Sequence, residues 1–105
     1  MNTLTFYKDR DNAEIVQLLE DGVAIDMGAV TKVAVYFHGV LYDSTAYATA
    51  FDYTLGAGKL KLMLGKISGI PARTDGKAEI VIFDTSNTLG IVWGTIRIKM
   101  IDFDG

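Results

Sequence analysis

The sequence predicts an all-β fold of about seven to nine short strands, and three observations predict it. Apolar and polar residues alternate with period two through most segments. Glycine-, Asp- and Asn-bearing turn dipeptides recur roughly every 8–12 residues, the spacing of a sandwich or barrel. β-branched and aromatic side chains, which suit a pleated surface, fill the stretches between turns.

In chain order, residues 3–7 set Leu4 and Phe6 on one face. Residues 11–19 allow two readings. Asp11-Asn12-Ala13-Glu14 fits a capping box opening a helix with Ile15, Leu18 and Leu19 on one side. Such a helix has room for only about two turns before Gly22, a marginal length. Among β neighbours, a strand followed by an Asp21-Gly22 turn is expected instead. In residues 31–37, Val33, Val35 and Phe37 oppose Lys32, Ala34 and Tyr36, a half-buried antiparallel strand. His38-Gly39 then reads as a tight hairpin leading to Val40-Leu41-Tyr42-Asp43.

Residues 44–54 alternate again, with Thr45, Tyr47, Thr49, Phe51 and Tyr53 against Ala46, Ala48 and Ala50, so an alanine-lined strand face is expected. Gly56 and Gly58 mark a turn before residues 59–64, where Leu60, Leu62 and Leu64 oppose Lys59, Lys61 and Met63. Residues 65–71 read as a turn, and Asp75-Gly76 as another. The stretch 78–83 is apolar on both faces apart from Glu79, as in a central strand. Ser86-Asn87 separates it from the last strand, where Ile96, Ile98 and Met100 oppose Thr95, Arg97 and Lys99.

Residues 1–105 are expected to form a single domain with a radius of gyration of about 13 Å. No linker, repeat or low-complexity tract divides them. There is no cysteine, which excludes disulfides and thiolate chemistry, and a single histidine, His38. The net charge of −3 and the lack of a polybasic run argue against nucleic acid and anionic membrane as partners. No basic-then-apolar leader is seen at the start, and the longest uncharged stretch, residues 85–96, is too short to span a bilayer. Acids predominate in residues 1–55 and bases in 56–105. Interleaved strands would cancel this in space; a bipolar surface would favour head-to-tail self-association.

Candidate chemistry is sparse. His38 at a hairpin tip reads as a turn residue. Asp9, Asp11, Asn12 and Glu14 offer oxygens for calcium, but the loop lacks a calcium hand's glycine and ligand count, and Arg10 sits among the acids. Asp102 and Asp104 form a second acidic pair. The Gly65-Lys66 dipeptide lacks the rest of a phosphate loop, and Lys59, Lys61 and Lys66 lack interleaved aromatics for nucleic-acid stacking. The lysines read as a solvated face that also blunts a sheet edge. An enzyme would require a carboxylate pair such as Asp9 and Asp84. No catalytic residue, metal or cofactor is expected.

The aromatic residues say more. Tyr36, Tyr42, Tyr47, Phe51, Tyr53 and Trp93 exceed what a small sandwich buries in full, and tyrosine-bearing, alanine-smoothed faces suit protein–protein contact. These six are the candidate interface residues, with a homo-oligomer as the expected outcome. The alternative is a carbohydrate- or peptide-binding module in which Tyr36, Tyr42 or Trp93 stacks on its ligand.

Two stretches carry a family resemblance. EDGVAIDMGAVTKVAVYF resembles the opening of small β-sandwich domains in tailed-phage virion proteins of tails, baseplates and adaptors. LKLMLGKISGIPARTDGKAEIVIFDTSNTLGIVWGTIRIKMID resembles the second half of such domains: a strand ending in Leu-Gly, a central strand, a turn bearing Asp84, Asn87 and Gly90, and a closing strand with Trp93-Gly94. The likeness runs from Glu20 to Asp102 and implies an immunoglobulin-like antiparallel sandwich. The cysteines of antibody-type sandwiches are absent, so Trp93 is not equated with their disulfide-packing tryptophan. The function implied is a non-enzymatic structural role in a phage or prophage virion. Its partners would be copies of itself and other virion proteins, assembled in the bacterial host cytoplasm.

Overall fold

The computed structural model describes residues 3–102. The fold is all-β, two antiparallel-rich sheets packed face to face, with a radius of gyration of 13.2 Å. The described residues form ten strands: β1 (Thr3–Tyr7), β2 (Glu14–Gln17), β3 (Leu19–Glu20), β4 (Val23–Ala24), β5 (Val30–Phe37), β6 (Val40–Asp43), β7 (Phe51–Asp52), β8 (Lys59–Leu62), β9 (Thr74–Asp84) and β10 (Ile91–Ile101). One sheet has the order β1-β10-β9-β5-β6, the other β2-β8-β7, and β3 and β4 form a separate hairpin. Residues 11–19 take the strand reading, ending in that hairpin.

The alternating pattern assigns the faces as expected. Val33, Val35 and Phe37 from β5, Leu60 and Leu62 from β8, and Ile98 and Met100 from β10 are fully buried between the sheets. Two hairpin turns also hold. His38 and Gly39 have φ of 49° and 79°, and Asp21 and Gly22 have 52° and 80°. Positive φ at both central residues is the two-residue turn whose twist matches its strands.

Four expectations are corrected. First, β1 pairs with β10 in parallel, Thr3 opposite Arg97 through Tyr7 opposite Ile101, so this pair departs from the antiparallel rule. Second, Asp75-Gly76 is not a turn but part of β9; a Cβ on Gly76 would meet the His38 ring at 2.9 Å, so glycine here makes room for that ring. Third, residues 44–54 form no continuous strand. The Asp43 carboxylate accepts from the backbone N–H groups of Thr45 and Ala46 at 2.9 and 2.8 Å, winding the chain into turns until β7. No alanine-lined sheet face results.

The turn read at residues 65–71 is present, opening on the 3-10 turn Leu64–Lys66, and the fourth correction concerns the lysines beside it. Leu64, Ile67 and Ile70 are fully buried and plug one end of the core. Lys8 holds the segment, its Nζ donating to the carbonyls of Ile67 at 2.9 Å and Ile70 at 2.6 Å. β8, with Lys59 and Lys61, is the central strand of its sheet, so these lysines blunt no edge. Lying between the more acidic β2 and β7, they offset part of the charge asymmetry, and Lys66 pairs with Asp11 at 3.7 Å.

Candidate functional site

The six candidate aromatics do not form one surface. Tyr42 and Phe51 are core residues, 6% and 5% exposed, which corrects their assignment to an interface. The Tyr42 hydroxyl donates to the Gly69 carbonyl at 3.2 Å, and burial, followed by the neighbouring Tyr47, raises its pKa above the usual 10.0. Tyr47, Tyr53 and Trp93 are half-buried against the same core. Tyr36 alone lies exposed on the outer face of the five-stranded sheet, so Tyr36, Tyr42 and Trp93 build no shared stacking platform.

Around Tyr36, however, the outer face carries an apolar end that aromatic counting missed. Ala34 pairs with Val81 and Tyr36 with Leu41; Val92 pairs with Val81 on the other side. Ala34, Val81 and Phe83 form a second buried cluster, separate from the main core. The loop after β9 covers it in part. Asp84 Oδ1 accepts from the N–H groups of Ser86 and Asn87 at 2.9 and 2.8 Å and from Asn87 Nδ2 at 2.9 Å, which curls residues 84–90 back over the sheet. Gly90, with φ of 86°, lies so close that a Cβ would meet Val81 at 2.6 Å and Phe83 at 2.8 Å.

What remains uncovered is a shallow apolar depression bounded by Tyr36, Leu41, Leu89 and Val92. Leu89 is 95% exposed and Val92 58%. A contiguous apolar rim of this kind marks an interaction site more often than scattered surface leucines do. The signal was present in the sequence: residues 78–83 are apolar on both faces, which requires cover on both sides. Lys32 reaches over the Phe83 ring, its Nζ 4.3 Å from the centroid.

The other candidates lie apart. His38 is exposed at its hairpin tip, its Nε2 3.2 Å from the Asp75 carbonyl and its ring against Phe37. Asp9 follows β1 and Asp84 ends β9, placing them at opposite ends of the long sheet, about 30 Å apart at ~3.3 Å per residue. No three metal-binding side chains converge among the described residues. Asp11 of the acidic loop faces Lys66, Asp102 pairs with Arg73 at 3.3 Å, and Asp104 lies outside the described residues. Asp52 is held below the usual carboxylate range, first by the Thr54 hydroxyl donating at 2.6 Å and then by the Thr54 N–H. That interaction shapes a turn. No described helix is long and apolar enough to cross a membrane.

The class defined by these features is a two-sheet β domain whose distinguishing region is a surface. No family model matches the chain, and no curated protein matches it.

Proposed function

We propose that this chain is a non-enzymatic assembly protein that joins copies of itself through the apolar end of its outer sheet face. The observation that carries the reading is the rim of Tyr36, Leu41, Leu89 and Val92 around the buried cluster of Ala34, Val81 and Phe83. The charges beside it favour a second copy as the occupant. Ala34 and Val81 sit opposite each other at the centre; Lys32 lies two residues to one side on β5, and Glu79 two residues to the other on β9. A two-fold axis crossing the strands at that centre sets Lys32 of one copy over Tyr36 and beside Glu79 of the other. Such a face is self-complementary, as an isologous dimer requires. The sheets would stack about 10 Å apart, adding a layer to the sandwich.

The setting we propose is a tailed-phage or prophage particle, where the dimer meets other virion proteins after assembly in the host cytoplasm. This rests on the resemblance of residues 20–102 to virion sandwich domains. Capsid, tail or terminase genes beside the coding sequence would support the setting; a run of unrelated metabolic genes would count against it.

Self-assembly is tested by sedimentation velocity over a range of concentrations. The expected result is a concentration-dependent dimer for the unmodified chain and a monomer for the Leu41→Asp, Val92→Asp double variant, with unchanged circular dichroism. A chain that stays monomeric at high concentration, or a double variant that assembles equally well, overturns the reading.

A further inference from the structure

We propose that the main-chain carbonyls of Ile67, Ser68 and Ile70 form a monovalent-cation site, selective for potassium and ammonium ions, which the chain fills with its own Lys8 ammonium. This site does not depend on the outer-face reading. Lys8 follows β1, and its backbone N–H donates to the Ile101 carbonyl at 2.8 Å, at the end of β10 away from Val92. Its Nζ stands 2.6 Å from the Ile70 oxygen, 2.9 Å from that of Ile67 and 3.4 Å from that of Ser68. An ammonium group has three N–H donors and no acceptor, so three carbonyls match its capacity.

Contacts other than those of the ammonium gather these carbonyls. The side chains of Leu64, Ile67 and Ile70 are fully buried, which anchors the segment to the core. Its backbone turns twice in succession, the Ile67 N–H donating to Leu64 at 3.1 Å and the Ile70 N–H to Ile67 at 3.2 Å. The Ile67 carbonyl thus offers Lys8 its second lone pair. The turn after β1 fixes the cage from the other side. There the Asp9 N–H donates to the Gly65 carbonyl at 3.0 Å, and a Cβ on Gly65 would collide with the Tyr7 carbonyl. None of these contacts involves the Lys8 side chain.

Carbonyl oxygens are hard ligands, and sets of them replace an alkali ion's hydration shell in ion-selective pores. Distances from 2.6 to 3.4 Å suit potassium and ammonium, which are close in size, whereas sodium draws its oxygens nearer. Tetramethylammonium is too large and has no N–H to donate. The Ile67 and Ile70 contacts are partly shielded from water, so an ion there replaces bonds that solvent supplies poorly. A tethered ammonium keeps the site occupied whatever salt surrounds the protein.

The test deletes the tethered ion and offers a free one. Lys8→Ala should lower the melting temperature by about 5 °C or more, as loss of charge-assisted bonds does in a chain of this size. Melts at equal ionic strength in potassium, ammonium, sodium and tetramethylammonium chlorides then compare occupants, each referred to the unmodified chain in the same salt. Potassium and ammonium should restore much of the loss, sodium less and tetramethylammonium none. Hydrogen exchange should place the recovered protection at residues 64–70. Lys8→Met, whose uncharged side chain still occupies the cage, should be destabilised and gain nothing from any of the four. A Lys8→Ala variant as stable as the unmodified chain overturns the proposal. So does one that sodium or tetramethylammonium serves as well as potassium, one that stays unfolded in all four salts, or equal rescue of Lys8→Met.

Discussion

The outer face of the five-stranded sheet has two unlike ends along β9 and β10. Towards one end β5, β9 and β10 present Ala34, Tyr36, Val81, Phe83 and Val92. Towards the other, β9 and β10 present Asp75, Lys77, Arg97 and Lys99, with Arg97 and Asp75 paired at 2.7 Å. Beneath both ends the inner side is equally dry: Val33, Ile80 and Ile82 under the first, Phe6, Ile98 and Met100 under the second. The fold therefore requires the inner side along the whole sheet and asks nothing apolar of the outer side. Solvated charges satisfy the outer face at one end, and their replacement by exposed aliphatics at the other is surplus to folding. That surplus is what the proposed assembly would use.

The largest effects should come from the shared inner side. Ile80→Ala and Ile98→Ala, one under each end, should each cost about 2–5 kcal/mol in urea melts of the monomer. If only one mattered, the inner side would not be the common foundation. Gly90→Ala comes next. It combines a left-handed backbone with a collision against Val81 and Phe83, and should lower stability by more than about 1 kcal/mol while loosening the apolar end alone. Hydrogen exchange should show faster opening of residues 84–90 with β1 and the lower part of β10 unaffected. At the charged end, Arg97→Ala removes a pair whose side chains are half exposed, and should cost at most about 1 kcal/mol without changing association.

Tyr42, on the inner side of β6 next to exposed Leu41, supplies a pH test. Its raised pKa means the folded state favours the neutral phenol. The stabilisation is complete below the usual 10.0 and is lost as pH rises through the folded value. Tyr42→Phe should therefore flatten the alkaline limb of the stability profile relative to the unmodified chain, and an identical limb in both would contradict the assignment.

Much of this architecture was legible in the sequence. Period-two alternation at Val33-Val35-Phe37, Leu60-Leu62 and Ile96-Ile98-Met100 fixed the inner faces, because in a strand side-chain direction follows parity alone. Turn chemistry gave His38-Gly39 and Asp21-Gly22. The misread segments share a cause, that local pattern does not report what lies opposite. Gly76 is a glycine because a histidine ring from another strand lies on it, which no neighbouring residue announces. The alternation of residues 44–54 was overridden by one carboxylate, Asp43, capping the turn. Leu64, Ile67 and Ile70 recur every third residue, a turn-like spacing that fits neither strand nor α-helix and marks a buried irregular segment. The parallel β1–β10 pairing joins the two ends of the chain and has no local trace. For the site, aromatic content pointed to Tyr36 but drew in Tyr42 and Phe51, which are core. The better signal was aliphatic, in the two-faced apolarity of residues 78–83 and in Leu89 on its turn.

The most direct test of the central claim is sedimentation equilibrium on a charge exchange across the proposed two-fold face. Lys32→Glu alone and Glu79→Lys alone set like charges against each other and should each shift the chain to monomer, whereas the double variant Lys32→Glu, Glu79→Lys should regain the dimer. A double variant as dissociated as the singles, or singles that dimerise like the unmodified chain, would contradict the claim that two copies meet through this end of the sheet.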